Sequence, residues 1–162
     1  MPIERVVVDA SALIVLFKAE LGDILHQCFR EVVVPVAVLA EVGAVGDDDP
    51  VARAVADADW LQSTEIHVPE TISNWDLGRG ESEVLSFALM NQEHRAVVDD
   101  AQARRCARVM SIATLGTGGV VVLAKNRGVL SSATDALDAV REAGLWISDD
   151  IVELLKEQAG ES

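Results

Sequence analysis

The sequence predicts an α/β fold: a three-layer α/β/α sandwich around a mostly parallel central sheet. Three observations lead there. Short β-branched runs without polar alternation, at residues 5–8, 32–34 and 95–98, suit strands covered on both faces. Helical patterns separate these runs, as βαβ units require. Two of the runs end abruptly in acids, at Asp9 and at Asp99-Asp100.

The elements follow in chain order. Residues 5–8 read as a strand, and Ser11 offers an N-cap for an apolar helix over 12–20. An amphipathic helix is expected over 22–29 and a buried strand over 32–34. Pro35 then opens a helix running through Val42, since proline is tolerated in a first turn. After the polar break at 46–50 come a short helix over 51–58, a third strand over 64–68 and a loop over 69–80. Residues 81–91 form a helix with apolar Val84, Leu85, Phe87, Ala88 and Leu89. A strand at 95–98, a helix at 101–110, a brief strand at 111–113 and a helix at 118–126 complete the sheet region. Two last helices, 133–143 and 149–159, flank the Leu145-Trp146-Ile147 segment. No repeat, low-complexity tract or linker interrupts residues 1–162, so one domain is expected.

Composition narrows the class. The chain has 162 residues, half of them hydrophobic, which excludes intrinsic disorder despite a net charge of −14. No apolar run reaches the roughly 18–20 residues of a membrane span. Met1-Pro2-Ile3-Glu4-Arg5 lacks a signal-peptide pattern, so a cytoplasmic location is expected. Cys28 and Cys106 have neither disulfide-framework nor zinc spacing. The excess of 27 acids over 13 bases should repel a phosphate backbone at long range.

The acids beyond the strands carry the chemistry. A carboxylate next to a buried strand is costly unless it is compensated. Glu41 lies between Ala40 and Val42 in an apolar helix, and Glu83 lies early in the helix after Gly80. Glu81 and Glu83 are two apart, so they cannot both face one point. Glu83 abuts Val84 and is the better inward candidate, whereas Glu81 suits the positive helix N-terminus. Converging carboxylates without lysine partners are usually compensated by hard divalent cations, Mg²⁺ or Mn²⁺. Two such ions about 4 Å apart can activate water and stabilise a leaving oxygen in phosphodiester hydrolysis. Taken singly, each acid is more often a cap, and Asp99 or Asp100 could simply cap the helix at 101. Their joint placement at strand ends favours a site.

At these residues the chain resembles PIN-domain proteins, the fold of VapC-type toxin ribonucleases. It looks closest to a PIN subgroup of predicted nucleic-acid-binding proteins. The matching pieces are VVVDAS at 6–11, VPVAVLAEV at 34–42, GRGESEVLSFAL at 78–89, VVDDAQARRCA at 97–107 and GTGGVVVLAKNRG at 116–128. The resemblance implies a metal-dependent ribonuclease, with Asp9, Glu41, Glu83, Asp99 and Asp100 as metal-binding acids and Ser11 and Thr117 near the metal. Asp9, Glu41, Glu83 and Asp99 would be the catalytic set. RNA would be the substrate, and an antitoxin would be the partner of a toxin. The chain departs from the pattern at Gly118, where the subgroup has a bulkier apolar residue. It departs again at Glu83, where toxin-type members have Asp.

Other features have two readings each. Arg104 and Arg108, four apart on one helix face, could contact phosphates, though a solvated face is the commoner explanation. Gly116-Thr117-Gly118-Gly119 lacks the ending of a phosphate loop and reads as a tight turn. Trp60, Trp75 and Trp146 could stack on bases or cover the core. His26, His67 and His94 have no metal spacing. The Ala and Val positions of the C-terminal helices suggest a homodimer contact. The rival classes are a non-catalytic PIN-fold binding or scaffold protein and a phospho-acceptor receiver domain. The receiver places its acidic pair before its single acceptor Asp, the reverse of the order here.

Overall fold

Val6, Val7 and Val8 have no accessible surface, and Val32, Val33 and Val34 have at most 3%. Strands so fully apolar belong in the middle of a sheet covered on both faces. The computed structural model, which describes residues 4–162, puts them there. The strands are β1 (Arg5–Val8), β2 (Glu31–Pro35), β3 (Leu61–Thr64), β4 (His94–Val97) and β5 (Thr114–Leu115). They form an all-parallel sheet of order β3-β2-β1-β4-β5. Residues 1–3, which bear on the signal-peptide expectation, lie outside the described residues.

The helices are α1 (Ala10–Lys18), α2 (Asp23–Cys28), α3 (Val36–Gly43), α4 (Pro50–Asp57) and α5 (Glu70–Ser73). They continue as α6 (Arg79–Met90), α7 (Ala101–Val109), α8 (Thr117–Asn126), α9 (Ala133–Glu142) and α10 (Asp149–Gln158). With the sheet they make a three-layer α/β/α sandwich. Among the described residues no helix is long and apolar enough to cross a membrane.

The sheet order places the site. The chain runs outward from β1 through β2 to β3, then returns to the other side of β1 with β4 and β5. The order therefore reverses between β1 and β4, and crevices form beyond strand ends at such a point. Val7 pairs with Ala96, Val8 with Val97, and the Asp9 N–H donates to the Val97 carbonyl at 3.1 Å. Asp9 and the acids after β4 are thus neighbours.

Four local expectations are corrected. The third strand is β3, not 64–68: Leu61–Thr64 pairs with Val32–Pro35 at the sheet edge, where partial exposure removes the apolar signal. The loop over 69–80 contains α5, anchored by fully buried Ile72, a burial worth about 1.5–3 kcal/mol. The last strand is β5, not 111–113. Ser111 turns the chain at φ 59°, so pairing with Ala96 and Val97 starts only at Thr114. Ser11 is not the cap of α1, which begins at Ala10 with Asp9 in the N-cap position.

The C-terminal helices close on the chain itself. Ala133, Ala136, Leu137 and Val140 of α9 and Val152 of α10 are buried within the chain, so these positions are not free for a second subunit. A Cβ on Gly118 would lie 2.6 Å from Leu155 Cδ1, so the missing side chain there is what lets α10 rest on α8. Glu161 ties the end down. Its carboxylate accepts from the N–H groups of Ala133 (2.8 Å) and Thr134 (2.9 Å), from Thr134 Oγ1 (2.7 Å) and from Lys125 Nζ (2.9 Å). It thereby satisfies the open donors at the start of α9.

Candidate functional site

Each acid is delivered by a different element. Asp9 follows β1 and is 5% exposed. The Ser11 hydroxyl donates to Asp9 Oδ2 at 3.5 Å. Burial pushes the Asp9 carboxyl up to about 6, with Glu41 and Asp99 adding to the rise and the Ala10 N–H and the Ser11 hydroxyl opposing it. Glu41 projects from α3. A Cβ on Gly80 would sit 3.5 Å from Glu41 Oε1 and 3.6 Å from Asp9 Oδ1, so both carboxylates face one point. Any larger residue at 80 would fill that space.

Asp99 and Asp100 follow β4 and have separate partners. Asp99 Oδ1 accepts from the Thr117 N–H at 2.8 Å, and its Oδ2 accepts from Thr117 Oγ1 at 2.5 Å. Thr117 is fully buried at the start of α8, which explains its position near the acids. Asp100 is the N-cap of α7, accepting from the Ala103 N–H at 2.9 Å. Arg104, one turn along, donates to the Val98 carbonyl at 3.1 Å. Its Nη1 and Asp99 Oδ1 both lie within 3.4 Å of the point a Gly116 Cβ would occupy. Arg104 is therefore at the corner of the site, while Arg108 is exposed on the α7 surface.

The two glutamates of α6 divide differently than their spacing suggests. Glu83 is the buried one, 4% exposed, but its Oε2 accepts from Arg79 Nε at 3.1 Å. Glu81, half-buried in the first turn, lies close to Asp100, and burial followed by the charges of Asp9 and Asp100 pushes it up to about 7. Its Oε2 is buried without a partner. Asp9, Glu41, Glu81, Asp99 and Asp100 thus act on one another, while Glu83 is held by Arg79. The sequence weighed Glu81 as a helix-end charge, because nothing local reports a partner 19 residues away.

The donor set is all oxygen and anionic, which suits a hard divalent cation. An orphaned buried carboxylate oxygen and two raised carboxyls are what such a cation would relieve. Among the described residues, no three His, Cys, Asp or Glu side chains are grouped closely enough to hold a metal ion as they stand.

Several candidates lie elsewhere. Trp60 stacks with Phe17 (centroids 6.2 Å) and with His26 (5.2 Å) and packs against the core, away from the acids. Trp75 packs against the core, and Trp146 is 87% exposed. His94 meets Glu31 at 3.3 Å at the N-terminal ends of their strands, away from the acids, and His67 is exposed. Cys28 and Cys106 are free and buried, and burial pushes both thiols up.

Comparison with known proteins bears on the whole arrangement. Nothing among curated proteins or solved structures matches the chain. A family described as a PIN domain matches residues 5–161. That span holds every strand and every acid of the site, and the chain belongs to the PIN domain family, whose fold is a nuclease fold.

Proposed function

We propose that this protein is a metal-dependent ribonuclease that hydrolyses phosphodiester bonds of single-stranded RNA, with Mg²⁺ or Mn²⁺ as cofactor. The observation that carries the reading is the carboxylate pocket at the β1/β4 reversal, where burial and mutual repulsion keep Asp9 and Glu81 from ionising at ordinary acid pH. Asp9, Glu41, Asp99 and Asp100 would hold the metal. We assign Glu81 to the set in place of Glu83, because the Glu83 carboxylate is engaged by Arg79. When bound, the cation would supply Lewis acidity toward the phosphate and a lowered pKa for the attacking water.

The remaining residues orient these groups. Thr117 holds Asp99 through both oxygens, Ser11 and the Ala10 N–H steady Asp9, and the α7 N-terminus steadies Asp100. Arg104 beside Asp99 supplies a cation for a scissile phosphate, with Arg108 further along the same helix. Such an enzyme would act in the cytoplasm. As a toxin it would have an antitoxin partner, and exposed Trp146, Ile151 and Leu154 are the surface a homodimer would use.

The test is Asp9→Asn. Mn²⁺-dependent cleavage of single-stranded RNA should be abolished while the fold is kept; unchanged cleavage would overturn the reading. A second reading, a non-catalytic binding or scaffold protein, draws on Asp99 and Asp100 being already committed to Thr117 and Ala103. Calorimetry with Mn²⁺ separates the two, since a scaffold need bind no metal.

A further inference from the structure

We infer that Arg79, anchored through Nε by the buried carboxylate of Glu83, is an RNA-phosphate-binding arm at the rim of the carboxylate pocket; this rests on the ribonuclease reading above. The pocket repels the backbone it would cleave, so a nearby cation is needed. Arg79 immediately precedes Gly80, whose Cβ position faces Glu41 and Asp9 at 3.5 and 3.6 Å. Its side chain is 86% exposed, while that of Glu83 is 6% exposed. One N–H is spent on Glu83, and both Nη groups are left for a ligand.

A purely stabilising pair would be built otherwise. A cation in the first turn opposes the helix dipole, and a base four residues before an acid is the weaker order for a helical ion pair. Burying Glu83 to hold a solvent-facing arginine is costly for a surface contact worth little. The same arrangement is well suited to recognition. A guanidinium held at Nε is pre-organised, so less side-chain entropy is lost when its Nη face meets a phosphate.

The test measures affinity for a single-stranded oligoribonucleotide by fluorescence anisotropy across a salt series. It uses the Asp9→Asn protein with Mn²⁺ present, so that bound RNA stays intact. Adding Arg79→Ala should weaken binding about tenfold, the loss of one charged hydrogen-bonded contact. It should also lower the salt slope by about 0.7, the loss of one single-strand phosphate contact. Arg79→Lys should keep the slope and recover part of the affinity. Glu83→Gln should weaken binding less than Arg79→Ala with the slope kept, since it removes the anchor and not the cation. With Asp9 intact, Arg79→Ala should raise KM about tenfold and leave kcat nearly unchanged.

The outcomes separate the two proposals. Cleavage by the wild type with KM and slope unmoved by Arg79→Ala overturns the arm and leaves the nuclease standing. A lower Tm for Arg79→Ala with unchanged RNA affinity also overturns it, making the pair structural. Arg79-dependent RNA binding without cleavage supports the arm and overturns the nuclease. Neither binding nor cleavage overturns both.

Discussion

Thr117 holds Asp99 at both carboxylate oxygens, its N–H on Oδ1 at 2.8 Å and its hydroxyl on Oδ2 at 2.5 Å. The two residues are 18 apart and come from the ends of adjacent strands, β4 and β5. Asp99 is thereby fixed while still offering lone pairs to the pocket.

Thr117→Val tests that grip. Valine keeps the shape and the backbone donor but removes the hydroxyl from a fully buried position. Losing a hydrogen bond to a charged group should cost about 1.5–3 kcal/mol in denaturant unfolding. On the ribonuclease reading, cleavage should also fall about 10–100-fold, as for other residues that orient a metal ligand. A fall in stability with full activity would show that the grip matters to the fold alone.

The carboxylate pocket predicts an unusual pH dependence for the metal-free protein. Asp9 is raised from 3.8 to about 6 and Glu81 from 4.5 to about 7. Between those values the folded chain holds protons that the unfolded chain has released. What these two groups contribute to stability is therefore full below about pH 4 and lost as pH rises through 6 and 7. Tm measured in EDTA should fall from pH 5 to pH 7.5. Asp9→Asn removes the buried charge and should raise Tm at pH 7.5, by about 2–4 °C for each kcal/mol recovered. A Tm that holds steady or climbs over this range contradicts the crowding of these acids.

Glu161 should act with the opposite sign. Hydrogen bonds from Thr134 and the Ala133 N–H, with Lys125 beside it, hold its carboxyl down at about 2, from an ordinary 4.5. Its contribution is present above pH 4.5 and lost as pH falls toward 2. Glu161→Gln should lower Tm at pH 7 by a few degrees and flatten the acid limb of the curve. Thermal melts of the two proteins between pH 2.5 and 7 check this, and superimposed acid limbs would count against it.

The parallel sheet was legible because its inner strands are apolar without interruption, and only a strand covered on both faces can be. The acids were legible for a related reason: Asp9, Asp99 and Asp100 stand where such runs stop, so their cost in isolation is visible in the residues themselves. The edges were not. β3 and β5 are held by backbone pairing with a neighbour far along the chain, and partial exposure leaves them no hydrophobic signature.

The amino-acid sequence by itself determined the fold class and the supply of carboxylates at its strand ends. Tertiary structure decided which carboxylates meet. Helical spacing separates Glu81 from Glu83 but does not say which one meets Asp100. That depended on α6 lying beside the start of α7, and on Arg79 being free to pair with the buried glutamate. The role of Thr117 was decided in the same way, because a hydrogen bond across 18 residues exists only once β4 and β5 are side by side. Local patterns report what each residue costs; the assembled sheet decides which partner offsets that cost.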